Sequence, residues 1–206
     1  KIKQVSFFNI GGIVNKTTIL DDGSLVASDL GPGMCLIDKW IRSKSKKRYD
    51  LNGSIAKLGK VNKTVLDKYW SIFKLTNREQ ASYDISDFDV SFSENLSLED
   101  GAATLTHYTA KYFISYFKNK KKLKKSIKEK MILCGGGRKN KFLVNLIKSN
   151  YKNVKLIDAY GIDGDFVESQ AFAYLAIRSH LKLPISFPET TGCNKPCTGG
   201  VIVKNY

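Results

Sequence analysis

The chain has 206 residues, with 34 Lys+Arg against 19 Asp+Glu for a formal net charge of +15, and 42% of its residues are hydrophobic. That apolar content excludes the hydrophobic poverty of a disordered polycation, and a folded chain of this size buries about 70% of its unfolded surface without a disulfide or metal to hold it. No apolar run approaches the roughly 18 residues that span a bilayer, and Lys1-Ile2-Lys3 leads into a strand-like segment and not a signal peptide, so a cytoplasmic globular protein with no membrane partner is expected.

In chain order, Val5 to Ile10 is a β-rich apolar run, Gly11-Gly12 punctuates it, and Ile13 to Leu20 resumes with β-branched residues before Asp21-Asp22-Gly23, a hairpin signal. Leu25 to Ser28 predicts a third, short strand. Gly31-Pro32-Gly33 then breaks the chain, and Met34 to Ile41 has helical spacing. From Ser43 to Asn95 the pattern weakens, with short amphipathic helices at Ser54 to Leu58 and Thr64 to Phe73. This stretch (43–95) reads as a helical and loop insertion on the core. Leu98 to Phe117 predicts the longest helix, because Ser97 suits an N-cap and Glu99 and Asp100 sit in the first turn.

Lys130 to Cys134 follows as a short buried strand, then a helix from about Lys139 to Ser149, a strand over Val154 to Ala159, and a last helix from Phe166 to Ser179. Pro184, Pro188 and Pro196 hold the remainder irregular. The order βββ, helices, β, α, β, α is ribonuclease-H-like. It predicts an α/β lobe with a mixed five-stranded sheet, helices on both faces and right-handed crossovers.

Three glycine-bearing turns fall at strand ends. Asn9-Ile10-Gly11-Gly12-Ile13-Val14-Asn15 flanks two glycines with side-chain amides, and glycine lets backbone N–H groups approach a phosphate, although a plain hairpin turn has the same look. Asp29-Leu30-Gly31-Pro32-Gly33 places a carboxylate before a helix, where it can take a proton, hold magnesium or cap the helix. Cys134-Gly135-Gly136-Gly137-Arg138-Lys139-Asn140 opens backbone access between a strand and a helix. The lysines at 120–122 and 124–125 lack interleaved aromatics or arginines and read as a solvated face. Cys193 and Cys197 have no partner pair at zinc-like spacing, so no metal site is assigned, and the four cysteines are expected as free thiols. His107 and His180 have no acidic or nucleophilic partner in reach of the sequence, and neither supports a triad.

With these residues assembled, the chain resembles the anhydro-N-acetylmuramic acid kinases, sugar kinases of the acetate kinase, Hsp70 and actin superfamily. The resemblance runs collinearly through the three turns, Tyr49-Asp50 with Gly53, Glu99 to Ala110, Asp163 to Arg178, and Pro184 to Pro188 before Thr190-Thr191-Gly192. It implies an actin-like ATPase lobe, the C-terminal one of two (1–206), with the N-terminal lobe and its Gly-Thr-Ser-Met-Asp-Gly loop outside this sequence. The leading Lys1 agrees with a start inside a longer polypeptide or a lost initiator Met.

The resemblance also implies the cofactors ATP and Mg2+, a small-molecule sugar substrate and a homodimer. It carries Asp29 over as catalytic base. Asn9, Gly11, Gly12, Gly31, Gly33, Gly135, Gly136, Gly137 and Asn140 come over as cofactor-binding, and Glu168 as substrate-binding. The implied reaction is attack of water on C1 of 1,6-anhydro-N-acetylmuramic acid while O6 takes the γ-phosphoryl group, a step of cell-wall recycling, with this chain inactive alone. The family's Asp-Thr-Gly-Pro-Gly-Asn is here Asp29-Leu30-Gly31-Pro32-Gly33-Met34, and its Pro-Lys-Ser is Gln80-Ala81-Ser82. The absence of the family's first phosphate loop, together with Leu30 and Met34, motivates the alternative of a non-catalytic nucleotide-binding scaffold. The +15 charge motivates a basic nucleic-acid-binding module, ranked below both because the lysines are spread over many segments, and no nucleic-acid partner is assigned.

Overall fold

A computed structural model of the chain describes residues 4–76, 82–122 and 129–203. Five strands, β1 (Gln4–Ile10), β2 (Ile13–Ile19), β3 (Leu25–Pro32), β4 (Glu129–Cys134) and β5 (Val154–Leu156), form one sheet in the order β3-β2-β1-β4-β5. The first three pair antiparallel, while β4 runs parallel to β1 and β5 parallel to β4. This is the mixed sheet that the element order predicts. Among the described residues six α-helices accompany it: α1 (Cys35–Lys44), α2 (Lys63–Thr76), α3 (Leu98–Lys122), α4 (Lys141–Asn150), α5 (Val167–His180) and α6 (Pro188–Thr191).

Alternation along β1 sets the two faces of the sheet. Ser6, Phe8 and Ile10 are buried, whereas Val5, Phe7 and Asn9 are only half-buried. Phe8, Ile10, Val14, Met131 and Leu133 meet Phe113 of α3 and Leu143 and Ile147 of α4 in the main core. Each such side chain contributes about 1.5–3 kcal/mol by leaving water, so this face carries much of the stability. The opposite face is thinly covered. Its small cluster of Ile132, Cys134 and Ile157 is met from α5 by Val167.

A second core joins the 43–95 stretch to α1 and α3. Trp40 and Leu36 of α1 pack with Ile55, Ala56, Tyr69, Leu105 and Tyr108, and the Trp40 indole N–H donates to the Leu98 carbonyl at 2.9 Å. Buried Asp50 accepts the Ile55 and Ala56 amide N–H groups at 2.8 and 2.9 Å. The helix expected over Ser54 to Leu58 is therefore a single 3-10 turn, Ala56–Leu58, closed by Gly59.

Two further elements differ from expectation. β3 runs past Ser28 to Pro32, because Gly31 and Pro32 still pair with Val14 and Ile13, and a proline on an edge strand forfeits no ladder bond. Asp29 consequently lies inside a strand and not in the turn before α1. β5 stops at Leu156 instead of Ala159, where the chain coils into the 3-10 turn Ile157–Tyr160. The lysines at 124–125 lie outside the described residues.

Asp38, on α1, is a polar intrusion into the second core: its Oδ1 is buried with no hydrogen-bond partner among the described residues. Burial pushes its carboxyl up to about 6, Arg42 opposes the shift, and the Asp50 charge adds to it. The fold therefore holds the Asp38 proton more tightly than the unfolded chain does. The resulting penalty is absent at about pH 4 and complete above about pH 6. Asp38→Asn is expected to stabilise the chain by about 1 kcal/mol at neutral pH, an amount discounted for the partial exposure of the group, and by nothing near pH 4. Urea unfolding at the two pH values reads the difference. An equal gain at both refutes the ionisation account.

Candidate active site

The register of the sheet aligns four polar side chains in one row across one end of the thinly covered face. Cys134 stands opposite Asn9, Asn9 opposite Asn15, and Asn15 opposite Asp29. Strands spaced about 4.8 Å apart make this row about 14 Å long. A bulge between Val14 and Asn15 in the β2–β3 pairing leaves Leu30 without a partner and keeps Asp29 on the same face as Asn15. The Asn15 side-chain amide donates to Asp29 Oδ1, and the Tyr83 backbone N–H donates to Oδ2 at 2.9 Å. Both carboxylate oxygens are thus held from different elements, which fixes the direction in which Asp29 presents them.

The three glycine turns lie just beyond this row and dock on one another. Gly33 and Met34 donate backbone N–H groups to the Gly12 and Gly11 carbonyls at 2.8 and 2.9 Å. A Cβ on Gly33 would lie 2.4 Å from the Gly11 oxygen, so the α1 turn closes on the β1–β2 turn only because the residue is glycine. Gly135, at φ +76°, is pressed just as closely against Asn9 and the Ile10 carbonyl. Gly137 approaches the Ile10 side chain, Gly31 faces the Tyr112 ring, and Gly12 faces Ile85. In contrast, a Cβ on Gly136 would meet nothing within 4 Å, and one on Gly11 only the Ile13 carbonyl at 3.5 Å. The expected glycines divide accordingly: Gly11 and Gly136 open outward, and the others hold turns together.

Asn140 closes the third turn as the N-cap of α4, its Oδ1 accepting from the Leu143 N–H at 3.0 Å, with the residue only 3% exposed. Its side chain thus serves the helix. Glu168 sits exposed in the first turn of α5. It lies close enough to β4 to be felt there: burial pushes the Cys134 thiol up to about 11, Arg138 opposes, and Glu168 adds. Asp29 and Glu168 therefore share one end of the sheet without meeting, one at each end of the row. Buried Arg138 ties the third turn to the segment before α5. It donates to both carboxylate oxygens of Asp158, at 2.9 and 3.2 Å, and to Asp165 at 2.8 Å. Asp158 is held below the usual carboxylate range chiefly by Arg138, and Asp165 chiefly by Lys139, whose ammonium donates to its Oδ2 at 2.6 Å, with Arg138 second.

Asn15 and Tyr83 were not among the expected site residues. Asn15 was legible in principle, since a hairpin about Gly11-Gly12 brings the amides at 9 and 15 opposite each other. Tyr83 carries no such signal, because it reaches Asp29 from 54 residues away. It also lines a cavity of about 490 Å³ with Leu36, Tyr69, Phe88, Phe92 and Tyr108. Leu30 and Met34, the apolar departures from the family pattern, pack against the main core. His107 bonds the Ala103 carbonyl through Nδ1 and has its ring against Phe142. The four cysteines are free. No three His, Cys, Asp or Glu side chains among the described residues converge as a metal would need, and no described helix is long and apolar enough to cross a membrane.

Comparison with known sequences decides the family. A profile for anhydro-N-acetylmuramic acid kinase matches residues 2–205. The chain belongs to that family. It is 46% identical over 212 aligned positions to the anhydro-N-acetylmuramic acid kinase of Pelagibacter ubique, an alignment covering 99% of this chain and 56% of that protein. It is 38% identical to the kinase of that name from Zymomonas mobilis, over 96% of this chain and 54% of the relative. The Brucella canis kinase is 37% identical, over 97% and 54%. The chain thus spans about half the length of the curated relatives it matches. The expected sugar-kinase family and its actin-like α/β fold both hold.

Proposed function

We propose that this chain supplies one lobe of an ATP-dependent kinase that opens the 1,6-anhydro ring of 1,6-anhydro-N-acetylmuramic acid and phosphorylates O6, giving N-acetylmuramic acid 6-phosphate. The observation that carries the reading is Asp29, clamped by Asn15 and Tyr83 at one end of a polar row and bordered by three interlocked glycine turns. The residues suit a nucleotide: Gly136 leaves open space at its turn tip, where backbone can approach phosphate oxygens. With no cluster of three metal-ligating side chains among the described residues, magnesium would rest chiefly on phosphate oxygens and water, as this ion commonly does.

Bound Mg-ATP supplies the phosphoryl group and the charge neutralisation its transfer needs. Asp29 takes a proton from a water molecule, whose oxygen bonds to C1 of the sugar as the C1–O6 bond breaks. O6 then becomes the acceptor of the phosphoryl group. Asn15 and Tyr83 aim the Asp29 carboxylate at that water, and the Arg138 bonds to Asp158 and Asp165 steady the approach to α5, from which Glu168 can bind sugar hydroxyls. Asn140 acts on the nucleotide side indirectly, by capping α4 and fixing the turn of Gly135 to Gly137.

Leu30 and Met34, which motivate the scaffold alternative, pack against the main core, and this supports the kinase reading. The test is ADP release from Mg-ATP, with and without 1,6-anhydro-N-acetylmuramic acid, by a polypeptide of full family length containing this sequence. Release is expected only with the sugar. A folded, ATP-binding protein that releases none would overturn the kinase reading in favour of the scaffold.

A further inference from the structure

We propose that Cys193 and Cys197 are a redox-active dithiol, a modification site that a low-molecular-weight disulfide oxidises to an intrachain bond across the turn after α6. The inference rests on this segment alone and not on the kinase reading. In sequence the two residues stand as Cys193-Asn194-Lys195-Pro196-Cys197, without the second cysteine or histidine pair that a zinc site needs. The fold brings them together. α6 ends on Gly192, whose φ of +70° turns the chain back on itself. The returning chain is fixed at its far end, where the Cys197 N–H donates to the Ser186 carbonyl at 3.1 Å and the Cys197 carbonyl accepts from the Ile185 N–H at 2.9 Å. Within the loop so closed, the Cys193 and Cys197 thiols share a hydrogen bond, and the Thr191 hydroxyl lies 3.3 Å from the Cys193 sulfur. Two sulfurs already in contact reach the bond length of about 2.05 Å by side-chain rotation, with little demand on the backbone.

The other two cysteines are placed differently. Cys134 is buried and Cys35 half-buried, and burial pushes both thiols up to about 11, whereas Cys197 is exposed and Cys193 half-buried. Buried thiols of that kind are inert. The Cys197 thiol is raised as well, first by desolvation and then by Cys193, so it keeps its proton while Cys193 attacks. The Cys193 thiolate bonds to one sulfur of the disulfide RSSR and expels RS⁻, which takes up the proton that Cys193 gave away. Cys197, losing its proton in turn, bonds to the Cys193 sulfur and expels the second RS⁻. The pair is oxidised by two electrons and RSSR is reduced to two RSH. A bond that closes so short a loop removes little chain entropy, and exposed disulfides are the labile ones, so the change is reversible. Its place in the fold gives it reach: α6 packs on β3, the strand that carries Asp29.

The experiment exposes a polypeptide of full family length containing this sequence to oxidised glutathione, quenches with acid and maps the peptides by mass. The peptide holding Cys193 and Cys197 is expected to lose two hydrogen atoms, those holding Cys35 and Cys134 to stay free thiols, and dithiothreitol to reverse the change. Closure is expected to run at least about tenfold faster in the folded protein than in urea, because the fold holds the sulfurs together. Cys193→Ser is expected to abolish the internal bond, and both Cys193→Ser and Cys197→Ser to lose the tight capture of phenylarsine oxide, a reagent that bridges paired thiols. Glutathione on each cysteine without an internal bond overturns the proposal. So does a disulfide between two chains, or closure no faster in the folded protein than in urea. Catalytic activity enters none of these readouts, so a failure here is separate from a failure of the kinase reading.

Discussion

Asp29→Asn, in a polypeptide of full family length, is expected to cut sugar-dependent ADP release by 10²- to 10⁴-fold, the range associated with a positioned general base. The asparagine keeps the size of the side chain and can still accept from the Tyr83 N–H, so the clamp is only half lost and the sheet register is untouched. What disappears is the ability to take the proton from water. Nucleotide affinity is therefore expected to stay within a few-fold of the parent, because the open turn tip at Gly136 lies on a different element from Asp29. Steady-state kinetics with calorimetric nucleotide binding separates the two effects. Activity within tenfold of the parent would remove Asp29 from the base role. Loss of nucleotide binding in step with activity would make its part structural.

Much of the sheet was legible because its cues are local. The β-rich apolar run of Val5 to Ile10 and the Asp22-Gly23 turn give the antiparallel hairpins, and the apolar run before Cys134 gives a parallel strand beside β1. The misjudged ends were decided by partners elsewhere in the chain. Gly31-Pro32 has the composition of a breaker, yet β2 already offered Val14 and Ile13 to pair with, so the strand continued and carried Asp29 with it. In the 54–58 stretch, local apolar spacing suggested a helix, but the Asp50 carboxylate captured its first amides and a single turn sufficed. The site was legible to the same degree. Its glycines and Asp29 stand in motifs, whereas the clamp on Asp29 needs the sheet register for Asn15 and a contact 54 residues long for Tyr83. The exposure of α5, none of whose residues is buried, could not be read at all, since an apolar helical pattern signals burial.

A pair of glycine substitutions is expected to separate the architecture of the site from its ligand contacts. In Gly33→Ala the new Cβ meets the Gly11 and Gly12 carbonyl oxygens at 2.4 and 3.2 Å, and both are backbone atoms of a turn anchored by the Gly33 and Met34 N–H bonds. Neither can retreat without breaking the docking of α1 on the β1–β2 hairpin. Overpacking of this kind costs about 1–3 kcal/mol, which for a chain of this size lowers the melting temperature by about 3–10 °C. In Gly136→Ala the methyl group enters open space, with nothing within 4 Å, so the melting temperature is expected to match the parent. If the turn tip faces the nucleotide, the same methyl stands where phosphate or ribose must come closest to the backbone, and affinity for ATP falls by about tenfold or more. Thermal melts recorded with and without Mg-ATP report both quantities in one series. Stabilisation by the nucleotide follows the ratio of its concentration to its Kd, so Gly136→Ala should begin at the parent's melting point and gain less from ATP. A full gain would turn the Gly135 to Gly137 turn away from the nucleotide. A lowered starting point would mean that the turn packs against something in solution that leaves no room for a methyl group.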